Sequence, residues 1–161
     1  METESSISKA FEHIKKAYNF QMRGLYNEAI RNYKLSIEFF PTAEAHTYLG
    51  WTYSFMGNLD DAIEECKKAI EIDPEFGNPY NDIGSYLIQQ GKLDEAITWL
   101  ELAIKSKRYE AYHYAHLNLG RVLELKGLWF EALDEYRKAI EIEPKYELAQ
   151  KLYYRLLGMT N

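Results

Sequence analysis

The chain has 161 residues, a formal net charge of −6, and 47% hydrophobic, 27% charged and 15% aromatic residues. That length suits one domain able to bury about two-thirds of its unfolded surface, and the composition excludes disordered and fibrous classes. The acidic balance speaks against nucleic acid and anionic membrane surfaces as main partners. A lone Cys66 can make neither an internal disulfide nor a cysteine-rich zinc site.

The acidic opening, Met-Glu-Thr-Glu-Ser-Ser, has no apolar core and is not a signal peptide, so a cytoplasmic protein is expected. The first predicted helix, near 8–22, carries apolar residues on two faces. Steps of about 100° put His13, Ala17 and Phe20 on one face and Phe11, Ile14, Tyr18 and Met22 on the opposite one. Gly24 ends it, a second helix follows with Ala29, and Pro41 stops that one. The next helix lies in the longest stretch free of Asp, Glu, Lys and Arg, the 15 residues Ala45 to Leu59, which are too few and too polar to span a membrane. Tyr48, Trp51 and Phe55 share one side of it.

From here the chain repeats. Leu49-Gly50 returns as Ile83-Gly84 and Leu119-Gly120, and seven residues after each Gly comes another: Gly57, Gly91 and Gly127. Five residues later stands an Ala in every unit: Ala29, Ala62, Ala96 and Ala132. Ala69-Ile70-Glu71-Ile72-Asp73-Pro74 recurs as Ala139-Ile140-Glu141-Ile142-Glu143-Pro144. Each unit is therefore two helices. Gly57, Gly91 and Gly127 end the first, where a residue without Cβ adopts a left-handed backbone most easily. Asp60 and Asp94 are placed as N-caps of the second, and Pro41, Pro74 and Pro144 terminate it. A mid-helix Gly costs ~1 kcal/mol relative to Ala, so Gly50, Gly84 and Gly120 mark where the paired helices touch.

This pattern, seen best over 43–76 in His46, Leu49, Gly50, Tyr53, Ala62, Cys66, Ala69 and Pro74, resembles the tetratricopeptide repeat family. The resemblance implies an all-α, right-handed α-solenoid of stacked helix-turn-helix repeats in a single domain. The repeats are placed at about 10–42, 43–76, 77–112 and 113–146, with a capping helix at about 146–158. Lys16 stands where the family usually buries a Leu, which suggests that the array begins here. The third unit lacks its Pro and carries extra residues around Lys105-Ser106-Lys107-Arg108. The last helix sets Glu147, Gln150, Lys151 and Arg155 against an apolar arc containing Tyr153 and Leu157, the amphipathic end a solenoid needs.

In this family the first helix of each pair lines the concave side. The resemblance therefore implies a peptide-binding groove with an apolar floor of Phe11, Ile14, Tyr18, Met22, Tyr48, Trp51 and Phe55. A polar continuation follows at Asn78, Asn81, Asp82, Tyr114, Asn118 and Arg121, groups able to bond a peptide backbone. Family members that hold chaperone tails use a Lys, Asn and Arg clamp. The matching positions here are Ile14, Tyr18, Tyr48, Asn78 and Asp82 in one register and Thr47, Trp51, Asp82, Tyr114 and Asn118 in the other, and neither supplies the cations. Second-helix charges such as Glu64, Glu65, Lys67 and Lys68, or Asp134, Glu135, Arg137 and Lys138, suit a solvated convex face.

No catalytic constellation is present. His13, His46 and His116 occupy one slot in separate repeats, about 10 Å or more apart, too far to share a zinc ion. Cys66 fills an apolar slot and is expected to be buried. The reading is a non-enzymatic adaptor without cofactor or metal, binding a short peptide or helix of another protein, with no nucleic-acid partner and no membrane insertion. The alternative is a scaffold that self-associates into homo-oligomers through its C-terminal helix.

Overall fold

The computed structural model describes residues 2–160, and among them nine helices and no strand. They divide into two compact units, Met1–Pro74 and Glu75–Asn161. The first holds α1 (Glu2–Met22), α2 (Tyr26–Phe39), α3 (Ala43–Phe55) and α4 (Leu59–Ile72). The second holds α5 (Asn78–Gln89), α6 (Leu93–Lys105), α7 (Tyr112–Leu125), α8 (Trp129–Ile142) and α9 (Glu147–Thr160). No Gly or Pro interrupts the chain before Gly24, so α1 starts well before the expected boundary near residue 8.

Four turns share one geometry. Gly24, Gly57, Gly91 and Gly127 all take φ between 74° and 80°. The next residue's N–H reaches the carbonyl five residues back: Leu25 to Phe20 at 2.9 Å, Asn58 to Tyr53 at 3.0 Å, Lys92 to Leu87 at 2.9 Å and Leu128 to Leu123 at 2.9 Å. These are Schellman closures, which satisfy orphan carbonyls at a helix end. The reversal is so short that Leu59 and Leu93 already belong to the following helices. The N-caps are thus Asn58 and Lys92, and Asp60 and Asp94 sit one residue inside the first turn, contrary to the sequence expectation. There the helix dipole still favours a carboxylate.

The mid-helix glycines are where paired helices meet. A Cβ built on Gly50 would lie 2.8 Å from the Ala62 carbonyl oxygen. One on Gly84 would lie 2.6 Å from Leu100 Cδ2, and one on Gly120 would lie 2.5 Å from Tyr136 Cε1. Around these contacts each unit has its own core. In the first, Ala17, Ala29, Tyr33 and Leu49 pack together. In the second, Leu117, Ala132, Tyr136, Ala139, Ala149 and Leu156 do so, with Tyr153 against them. Cys66 is fully buried.

The unit lacking a proline ends differently. After α6 the extra residues run alongside the segment before α5. Gly77 N–H donates to the Arg108 carbonyl at 3.1 Å and Arg108 N–H to the Glu75 carbonyl at 2.9 Å, while the Arg108 guanidinium lies 4.0 Å from the centre of the Phe76 ring. Tyr109 packs so closely on Gly77 that no Cβ would fit there. This pairing replaces the proline as the stop.

Candidate functional site

In the first unit, α1 and α3 lie side by side and leave an open trough of about 480 Å³. Its lining is Ile14, Lys15, Tyr18, Asn19 and Met22 from α1, Arg23 from the turn just after it, and Tyr48 from α3. Two stripes of the same helix explain this composition. Ile14, Tyr18 and Met22 recur every four residues, and Lys15 and Asn19 follow one position later, a spacing that Arg23 continues past the helix end. Met22 is 62% and Tyr18 44% exposed. Tyr48 is half-buried, with its ring 6.0 Å from both Tyr18 and Tyr33.

Of the predicted floor, Ile14, Tyr18, Met22 and Tyr48 come together in the trough. Phe11, Trp51 and Phe55 stand outside its lining. Phe11 is exposed, and Trp51 packs on Phe55 at 5.2 Å between ring centres, with Phe55 stacked on Tyr26 at 5.7 Å. Asn19 and Arg23 were not singled out from the sequence, although their one-residue offset from the apolar stripe is legible there.

In the second unit the predicted polar positions divide. Asn81 and Asn118 are buried and bond one another, Asn118 Nδ2 donating to Asn81 Oδ1 at 3.0 Å, so they join α5 to α7. Asn78, Tyr114 and Arg121 are exposed. Tyr114 meets Tyr146 edge-on at 5.4 Å. Asp82 is half-buried, and burial pushes its carboxyl up to about 7 against a lowering hydrogen bond with Asn81. Burial, with Asp82 nearby, also raises the Tyr109 phenol.

The histidines pair across hairpins. His46 Nδ1 lies 2.6 Å from Glu65 Oε2, His116 Nδ1 lies 2.6 Å from Glu135 Oε2, and His13 Nδ1 lies 3.0 Å from Asn32 Oδ1. This corrects the expectation that Glu65 and Glu135 lie on a solvated face. Both carboxylates are largely covered, because Glu65 falls on the same side of α4 as Ala62 and Ala69. Glu64 and Lys68 stand four residues apart, but the close ion pairs on α4 are three apart. Lys67 takes Glu64 at 3.1 Å and Lys68 takes Glu65 at 2.7 Å, whereas Asp134 does meet Lys138 at 2.9 Å. Among the described residues no group of three His, Cys, Asp or Glu could hold a metal ion, and no helix is long and apolar enough to cross a membrane.

Family models for the tetratricopeptide repeat match residues 43–76 and 81–147. The chain is 34% identical over 99 residues to the human protein O-mannosyl-transferase TMTC2, a match covering 60% of this chain and 12% of that protein. It spans only 27% of a second curated relative, a small glutamine-rich tetratricopeptide repeat-containing protein of Mycosarcoma maydis. Among solved structures it resembles MamA, with a TM-score of 0.73, 28% identity and coverage of 93% of this chain and 83% of that one. It also resembles Pseudomonas aeruginosa PilF, with a TM-score of 0.90, 21% identity and coverage of 97% and 71%. The fold is that of an all-α tetratricopeptide solenoid.

Proposed function

The chain belongs to the tetratricopeptide repeat family, and from that premise we propose that it is a non-catalytic adaptor holding a short peptide or helix of a partner protein against the first helices of its hairpins. The observation that supports this reading is the trough between α1 and α3. It is open, apolar along its floor and polar along one edge, and its volume falls in the ~300–1,000 Å³ range of ligand clefts. Exposed rings such as Tyr18 beside half-buried ones such as Tyr48 are the kind of anchor that dominates binding once desolvated. Ile14, Tyr18, Met22 and Tyr48 form the proposed floor in the trough itself, and Phe11, Trp51 and Phe55, outside its lining, are proposed as flanking contacts of the same peptide. Within the second unit, exposed Asn78, Tyr114 and Arg121 and half-buried Asp82 are proposed as a separate set of polar contacts, whereas Asn81 and Asn118 are buried against each other.

The test is capture of partners from lysate by the wild type and by Tyr48→Ala and Trp51→Ala. Loss of capture with helicity intact supports the groove, and unchanged capture by both variants refutes it. A second reading, self-association through α9, draws on Leu148, Tyr154 and Met159, which are exposed on that helix. Tyr153 and Leu157, the residues suggested by sequence, are instead partly covered. A monomer by light scattering at high concentration removes this second reading.

A further inference from the structure

In the second unit two neighbouring groups are left unsatisfied. The Tyr109 hydroxyl is buried with no hydrogen-bond partner among the described residues. Asp82 is half-buried, and its charge acts on that phenol. Burial and a hydrogen bond with Asn81 act on the Asp82 carboxyl, and among the described residues no cation does. Neither α6 nor α7, the helices packed on α5, brings a charged group to bear on it. The Arg121 guanidinium is engaged elsewhere: its Nη1 donates to Asn118 Oδ1 at 3.4 Å, and Asn118 Nδ2 donates to Asn81 Oδ1 at 3.0 Å. Around the same phenol stand exposed Tyr114 and half-buried Tyr146, edge-on to each other at 5.4 Å. An unpaired carboxyl, a hydroxyl with nothing bonded to it and aromatic rings are surroundings that favour a cation. Both polar groups cost the free chain stability. Folding does not explain why they stand together, whereas stability exchanged for a ligand site does.

We propose that Asp82 and Tyr109 receive the ammonium group of a lysine side chain from another protein. The ammonium enters at the half-buried Asp82 carboxylate, and the Tyr109 oxygen, deeper in and closed over in the free chain, accepts a second N–H. Exposed Tyr114 offers its ring beside them. A compact ammonium with three donors suits acceptors on separate segments, whereas a guanidinium favours two acceptors side by side. This rests on the reading of the second-unit polar residues as partner contacts and names the group they take.

The probe is a capped tripeptide with a central lysine, titrated into the full chain and followed through the side-chain amide signals of Asn81 and Asn118. Binding is expected to saturate and to shift both signals. Acetylation of the lysine should abolish it, and arginine in its place should bind less well. Asp82→Asn should weaken binding about tenfold or more, the loss of one charge-assisted hydrogen bond, and Tyr109→Phe by a smaller factor. Both substitutions are expected to stabilise the free chain, so unfolding does not account for the loss. Asp61→Asn makes the same charge change at an exposed position of α4 and should leave binding unchanged. Affinity should rise with pH up through about 7, as the Asp82 carboxyl gives up its proton. His113, at 4.2 Å from Tyr114, is already neutral there because burial lowers its pKa. Equal binding of the acetylated or arginine peptide, undiminished binding to Asp82→Asn, or no saturable binding overturns the proposal. The adaptor reading survives those results if Tyr48→Ala or Trp51→Ala loses partners that the wild type captures, and falls with the site if capture is unchanged as well.

Discussion

His46 Nδ1 stands 2.6 Å from Glu65 Oε2, joining α3 to α4 across 19 residues of sequence, and His116 repeats the contact with Glu135 at the same distance and the same separation. With each glutamate ionised, the histidine donates through Nδ1–H. Lys68 and Lys138 then approach the second oxygens of Glu65 and Glu135, each at 2.7 Å. Burial alone would raise both carboxyls, but the hydrogen bonds from histidine and lysine outweigh it, so both titrate below the ordinary value of 4.5.

A carboxyl whose folded pKa is depressed adds stability that is present above its unfolded pKa and lost as pH falls through the folded value. The melting temperature of the wild type should therefore drop below about pH 4.5. A Glu65→Gln, Glu135→Gln double variant should be less stable near neutrality, by ~1–3 kcal/mol per site for a disrupted buried charged hydrogen bond, and should show a flatter acid limb. Parallel acid limbs in wild type and variant would remove the two pairs from the account.

Asp82 has the opposite sign. Its carboxyl is raised to about 7 from an unfolded value of 3.8, so its contribution is fully present below the unfolded pKa and is lost as pH rises through the folded one. Asp82→Asn should raise the melting temperature at about pH 8 and leave it nearly unchanged at about pH 4. An equal shift at both pH values would show that the substitution acts through packing and not through the buried charge.

Gly84→Ala and Gly120→Ala should each destabilise by ~1–3 kcal/mol, the range of overpacking in a tight interior. The atoms a new methyl would strike belong to Leu100 and Tyr136, both fully buried and unable to swing aside. Gly158→Ala serves as the comparison, since nothing lies within 4 Å of its Cβ position, and it should not lower stability. Urea midpoints decide the matter, and a neutral Gly120→Ala would mean that the helices can separate without cost.

The Tyr109 hydroxyl is buried with no hydrogen-bond partner among the described residues. An unsatisfied buried polar group costs ~1–3 kcal/mol, so Tyr109→Phe should raise stability in denaturant titration while Tyr109→Ala, which empties the space against Gly77, should lower it sharply. A clear loss in Tyr109→Phe would place a partner on that hydroxyl.

The repeating hairpins, their glycine turns and the close helix contacts were legible in the chain because their causes are local. A left-handed turn needs Gly at Gly57, Gly91 and Gly127 wherever the rest of the molecule lies, and a 3.6-residue period assigns Ala62, Cys66 and Ala69 to one face without reference to a partner. Half of the trough could be read in the same way, since Ile14, Tyr18 and Met22 repeat every four residues. Only the tertiary structure joined Tyr48 to them, left Phe11, Trp51 and Phe55 outside, and turned Asn81 and Asn118 inward to bond each other across 37 residues. It also buried Glu65 against His46 and closed the proline-less third unit by pairing Gly77 with Arg108. Each of these outcomes depends on which groups two segments distant in sequence bring into contact, at about 3 Å for the hydrogen bonds, and that proximity is set by packing that no local pattern in the chain encodes.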